Sequence, residues 1–88
     1  MKKKKIIITE FSTPREIFDA VMQHIAWTQH YKDEKKRLNI KEFCDAADMS
    51  RMTIYNYRNA ATIPTACSII KIIRAIKATG GSAEFHPI

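Results

Sequence analysis

Apolar residues recur at helical spacing in four places along the chain, and each stretch opens on a residue that can cap a helix. The first stretch carries Ile17, Phe18, Val21, Met22 and Ile25, with Trp27 and Tyr31 continuing the pattern at i, i+4. Thr13 stands at its N-cap, Pro14 at its first position, and Glu16 completes a capping box, so a helix is expected from there to about Tyr31. Lys32–Arg37 is charged and has no apolar period, which reads as a loop or a fraying helix end. A second helix is expected over Ile40–Ala47, opened by Asn39 and Glu42 as another capping box, and a third over Arg51–Asn59 with Ser50 as N-cap. Pro64 stops any continuation of the third, and Thr65 can cap a fourth from Ala66 to about Ala78, with Gly80 and Gly81 as its stop. Ile69, Ile72, Ile73 and Ile76 form the apolar stripe of this last helix, with Lys71, Arg74 and Lys77 mostly off it.

Only Asp48–Met49 separates the second pattern from the capped start of the third, a gap short enough to demand a sharp turn. Phe43, Ala46, Ala47, Met49, Ile54 and Tyr57 are expected to share a small core between the two helices, leaving Arg51, Met52, Tyr55 and Asn56 pointing outward. That is the pattern of a helix-turn-helix presenting its second helix. The β-branched run Ile6–Thr9 and the segment Ala83–Phe85 suit short strands that pair within the chain or across a dimer. The expected fold is therefore mainly α: a compact four-helix domain over residues 1–88, with a core about 12–80, short terminal strands, and a flexible basic N-terminus at 1–5.

Eighty-eight residues make one domain, and a chain this short has a small margin of stability. The net charge of +6 favours a polyanionic partner, although four of the positive charges are the run Lys2–Lys5. That run reads either as a basic arm on phosphates or as a solvated terminus. The apolar residues after it are too few for an export signal, and no stretch approaches a membrane span, so a cytoplasmic location and no membrane partner are expected. Cys44 and Cys67 are expected to be buried reduced thiols. His24 and His30 lie six apart and read as ordinary helix residues. No catalytic arrangement, phosphate loop or metal-ligand spacing is present, so no enzyme activity, metal or cofactor is expected, and no small-molecule effector is evident.

The span from Leu38 to about Gly80 resembles the Cro/repressor-type helix-turn-helix family, also called the XRE family. IKEFCDAA matches its second helix, Asp48–Met49–Ser50 its turn, and RMTIYNYRN its recognition helix. NAATIPTACSIIKIIRAI follows the register of the family's loop and next helix, with agreement at Asn59, Pro64, Thr65, Lys71, Ile72, Ala75 and Ile76. The sequence departs from the pattern where the turn glycine is Asp48, the small residue within the second helix is Cys44, the usual acid is Arg58, and the glycine after Asn59 is Ala60. LNIKEFCDAADMSRMTIYNYRNAATIP also resembles the opening of excisionase or MerR-type domains, in which the proline leads into a strand and wing. Here the proline leads into a helical pattern, which favours the Cro/repressor arrangement. Both resemblances imply DNA binding.

On this reading the third helix enters the major groove of double-stranded DNA and the protein acts as a sequence-specific transcriptional regulator, repressor-like in architecture. Asn56 suits a bidentate pair with adenine, Arg51 a guanine or a phosphate, and Met52 and Tyr55 thymine methyl groups. Ser50, Thr53, Lys41 and Arg58 are the candidate phosphate contacts, Lys41 beside the N-terminus of the second helix. One short helix reads about four base pairs, so a homodimer on a two-fold site is expected. The rival reading is an antitoxin-like or accessory protein-interaction module on the same fold.

Overall fold

The computed structural model describes residues 5–9 and 11–86. In chain order it has strand β1 (Lys5–Thr9), helix α1 (Pro14–Thr28), a 3-10 turn (Glu34–Lys36), helix α2 (Ile40–Ala47), helix α3 (Arg51–Arg58), helix α4 (Ala66–Ala78) and strand β2 (Ser82–His86). The expected mainly α fold of four helices with two short strands is what the described residues form. Each helix starts where its capping residue stands. Thr13, Asn39, Ser50 and Thr65 are all extended, and each side chain accepts the backbone N–H three residues on. The capping boxes at Thr13–Glu16 and Asn39–Glu42 close in both directions, with Glu16 and Glu42 each accepting the N-cap N–H at 3.0 Å.

One core joins the four helices and both strands. Ile17, Phe18, Val21 and Ile25 from α1 meet Phe43, Cys44 and Ala47 from α2, Ile54 and Tyr57 from α3, and Ile69, Ile72, Ile73 and Ile76 from α4. Ile8 of β1 and Ala83 of β2 complete it. The strands pair in parallel within the chain, Lys5 against Ser82 through Thr9 against His86, which resolves the choice between pairing inside the chain and across a dimer. Lys5 thus belongs to a strand, with its Nζ 2.9 Å from Glu84, and Lys2–Lys4 lie outside the described residues.

Three helices end by the same device. A residue with positive φ follows α2 (Asp48, 54°), α3 (Ala60, 54°) and α4 (Gly80, 92°). The next N–H then reaches back five residues, from Met49 to Cys44 at 3.0 Å, from Ala61 to Asn56 at 2.9 Å and from Gly81 to Ile76 at 2.8 Å. This is the closure of a Schellman motif, which satisfies carbonyls that the helix end leaves open.

Several expectations need correction. The first helix stops at Thr28, not Tyr31, and the chain turns through Gln29 and His30. Thr28 is buried; its hydroxyl donates to Ile25 O and accepts from Leu38 N, bringing the chain around to the start of α2. The charged segment contains the 3-10 turn, with Asp33 capping it through Lys35 N at 3.0 Å. Ala46 is exposed and lies outside the small core, because Phe43, Cys44 and Ala47 set the inward face of α2. Cys67 is exposed because it shares the outer face of α4 with Ile70, Lys71 and Arg74. His24 was expected to be an ordinary helix residue; it lies in α1 as expected, but on its buried side. It is 3% exposed, its Nε2 lies 2.6 Å from Thr79 Oγ1, and burial pushes its pKa down.

Candidate nucleic-acid interface

The geometry around α3 begins with the turn before it. The helix-turn-helix needs a reversal within two residues, and Asp48 supplies it by entering the left-handed region, which Asp tolerates better than most side chains. Its carboxylate extends into solvent, 3.8 Å from Lys71 Nζ. Ser50 then caps α3: its Oγ accepts from Thr53 N at 3.1 Å and lies 2.9 Å from Thr53 Oγ1. Both hydroxyls are therefore engaged within the cap.

Ile54 and Tyr57 fasten α3 to the core, at 0% and 1% exposure. The spacing of these two anchors fixes the rotation of the helix, since residues one and two positions away project elsewhere. Arg51 and Met52 are exposed, Met52 at 69%. Tyr55 lies one turn further along at 39% exposure, and Asn56 beside it is half-buried. The four residues expected to read DNA thus share one side of a two-turn helix. A helix of eight residues spans about 12 Å and, with side chains, is about 10–12 Å across, dimensions that match the B-DNA major groove.

Tyr55 serves two surfaces. Its ring is tilted against Phe18 of α1 with centroids 6.3 Å apart, so one flank packs while the other remains open to solvent. That contact limits the freedom of the phenol to reorient. Phe18 was not among the expected site residues, and no local spacing could have linked it to Tyr55. Asn59, exposed at the C-cap of α3 and one turn beyond Tyr55, was likewise not among the expected site residues.

Charge around the helices is uneven. Arg51 and Arg58 are exposed and, among the described residues, form no ion pair. Between Asp48 and Glu84 the sequence contains no acidic residue, while Arg51, Arg58, Lys71, Arg74 and Lys77 all fall in that interval. This signal was present in the sequence and is more specific than the overall charge. Lys41 is also exposed, but α2 carries Glu42 and Asp45 beside it. The Glu42 carboxylate already occupies the end of α2 by accepting from Asn39 N–H, which weakens that terminus as a phosphate site. The basic character therefore lies with α3 and α4 rather than with α2.

No group of three or more His, Cys, Asp or Glu side chains is placed to hold a metal among the described residues. No described helix is long and apolar enough to cross a membrane. Beyond Pro64 the chain enters α4 rather than a strand and wing. A scan against protein-family models and searches of curated proteins and of solved structures returned no match.

Proposed function

We propose that this protein binds double-stranded DNA through α3 laid in the major groove, and that it acts as a sequence-specific regulator of transcription. The observation that carries the reading is the rotation of α3. Ile54 and Tyr57 are locked in the core, and the opposite side offers Arg51, Met52, Tyr55 and Asn56 to a partner. These side chains combine a planar cation, an amide with adjacent donor and acceptor, and two apolar surfaces, the set that can distinguish base edges and thymine methyl groups. The acid-free interval from Met49 to Ala83 supports an anionic partner beside that helix. The resemblance to Cro/repressor-type proteins points the same way. So does the helix after Pro64, which sets the arrangement apart from a winged domain.

In this mechanism Ser50 and the Asp48 turn fix where α3 begins, and Arg58, with Lys41 more weakly, balances phosphate charge along the groove. Arg51 and Asn56 supply discrimination, each good bidentate pair contributing about 1–3 kcal/mol. Met52 and Tyr55 exclude water from the same strip.

Selection of bound duplexes from a random pool, repeated at two salt concentrations, tests this. A recurring sequence, bound more weakly at the higher salt, is the expected result. Recovery of no enriched sequence, with no retention of duplex DNA even at low salt, would instead favour a protein-interaction module built on the same fold.

A further inference from the structure

Among the described residues β1 has one partner strand, β2; its other edge faces no strand and is occupied only at Thr9, whose N–H donates to Ser12 Oγ and whose carbonyl accepts from Ser12 N. A groove of about 280 Å³ runs along β1 beside α1, with Ile6, Ile8, Ile17 and Ala20 in its lining and Glu16 and Asp19 in the same wall. An isolated pair of five-residue strands is marginal by itself, and an open strand edge is a template for another strand. Ile7, in the middle of β1, is 52% exposed.

We infer that this edge is a homodimer surface, on which β1 of a second copy adds antiparallel to β1 and joins the two sheets into one of four strands. The order would be β2–β1–β1–β2. Self-complementarity selects this occupant. With the two-fold axis at Ile7, Ile7 of one copy lies opposite Ile7 of the other, Ile6 opposite Ile8, and Lys5 opposite Thr9, whose N–H and carbonyl stay with Ser12. No like charges meet. The same operation on β2, Ser82–His86, sets Glu84 directly opposite Glu84, a repulsive pair. Parallel pairing of β1 would set Lys5 against Lys5. Ile6, only partly buried in the single chain, gains a cover from Ile8 of the other copy.

The inference goes beyond DNA binding and does not rest on it, and its test contains no DNA. Sedimentation of the full chain across a wide concentration range should show a mass rising from 10.2 kDa toward twice that value. Ile7→Lys, at a solvent-facing position, should keep the monomer mass throughout with an unchanged circular dichroism spectrum. Ile70→Glu, which alters the exposed apolar residue on α4, should dimerise like the parent. An independent check uses Ile7→Cys in a Cys67→Ser background. Directly opposed antiparallel residues have Cα atoms about 4.5–5.5 Å apart, within disulfide reach, so oxidation should yield a covalent dimer. A parent that stays monomeric at every concentration overturns the inference. So does a dimer that survives Ile7→Lys and is lost in Ile70→Glu, or an Ile7→Cys chain that does not cross-link.

Discussion

Asp48 and Ala60 stand at opposite ends of α3 with the same left-handed φ of 54°. Each is the pivot of a helix end, Asp48 of α2 and Ala60 of α3, and each occupies a place for which glycine is the usual residue. The third such pivot, Gly80, is a glycine. Left-handed backbone costs an ordinary L-residue roughly 1–2 kcal/mol, and part of any relief is returned as the greater freedom of unfolded glycine. Ala60→Gly is therefore expected to stabilise the protein by roughly 0.5–1 kcal/mol, read as a higher urea midpoint. Asp48→Gly should gain less, because Asp tolerates this conformation and its ion pair with Lys71 is lost. A lower midpoint for Ala60→Gly would contradict the assignment of strain there.

The turn after α4 is crowded as well as bent. A Cβ on Gly80 would fall on the Tyr31 hydroxyl, and one on Gly81 would lie 2.7 Å from both the His24 ring and Ile76 Cγ2. Gly80→Ala and Gly81→Ala should each destabilise the fold by roughly 1–3 kcal/mol, the range for forced overpacking. Tyr31→Phe removes the clashing oxygen, so it should recover part of the loss in Gly80→Ala and none of it in Gly81→Ala. A double-mutant cycle on chemical denaturation reads this difference directly.

His24 gives the fold a pH dependence of defined sign. Its ring is covered by Trp27, with centroids 5.9 Å apart, and by Phe43 at 6.0 Å, and burial holds its pKa below the ordinary 6.5. The Thr79 hydroxyl donates to Ala75 O at 2.7 Å, so it accepts from His24 Nε2–H. Because the folded pKa is lowered, the unfolded chain takes up this proton first. The contribution is complete above 6.5 and is lost as pH falls from there through the folded value. Urea midpoints measured from about pH 7 down to about pH 5 should fall more steeply for the parent than for His24→Gln. Parallel slopes would contradict it.

A second titrating group sits on the sheet. Glu84 accepts from Lys5 and His86, and these bonds hold its pKa at about 2. Its stabilising effect is present above the ordinary carboxylate value and lost only as pH falls toward about 2. The carboxylate is half-exposed at the surface, so Glu84→Gln is expected to change global stability little at neutral pH. Amide exchange in β1 is where the loss of its partner should be read.

The helix starts were legible in the sequence because capping is local: a side chain and an N–H three residues on lie in one short segment, as at Thr13, Asn39, Ser50 and Thr65. Features that depend on distant residues were not. Trp27 and Tyr31 suggested a longer first helix because they sit four apart. Their rings do meet edge-on, with centroids 4.9 Å apart, but through a turn that follows the helix. His24 gave no hint of burial, since its partner Thr79 lies 55 residues away. Cys67 was misplaced by its apolar neighbours, although the isoleucine stripe of α4 already assigned it to the other side. The outward face of α3 followed from Ile54 and Tyr57 alone, whereas the support that Phe18 lends to Tyr55 required the packing of α1 on α3.

The central claim is that the outer side of α3 reads base edges. Fluorescence anisotropy tests it most directly, by comparing the parent with Asn56→Ala and Arg51→Ala on the duplex recovered by selection and on mixed-sequence DNA of equal length. Both positions are clear of the core anchors Ile54 and Tyr57, so the variants should fold as the parent does. Loss of a bidentate base contact costs about 1–3 kcal/mol, so each variant should bind the selected duplex about 5- to 150-fold more weakly. Asn56→Ala should bind mixed DNA as the parent does. Equal affinity of parent and both variants for the selected duplex would contradict the account.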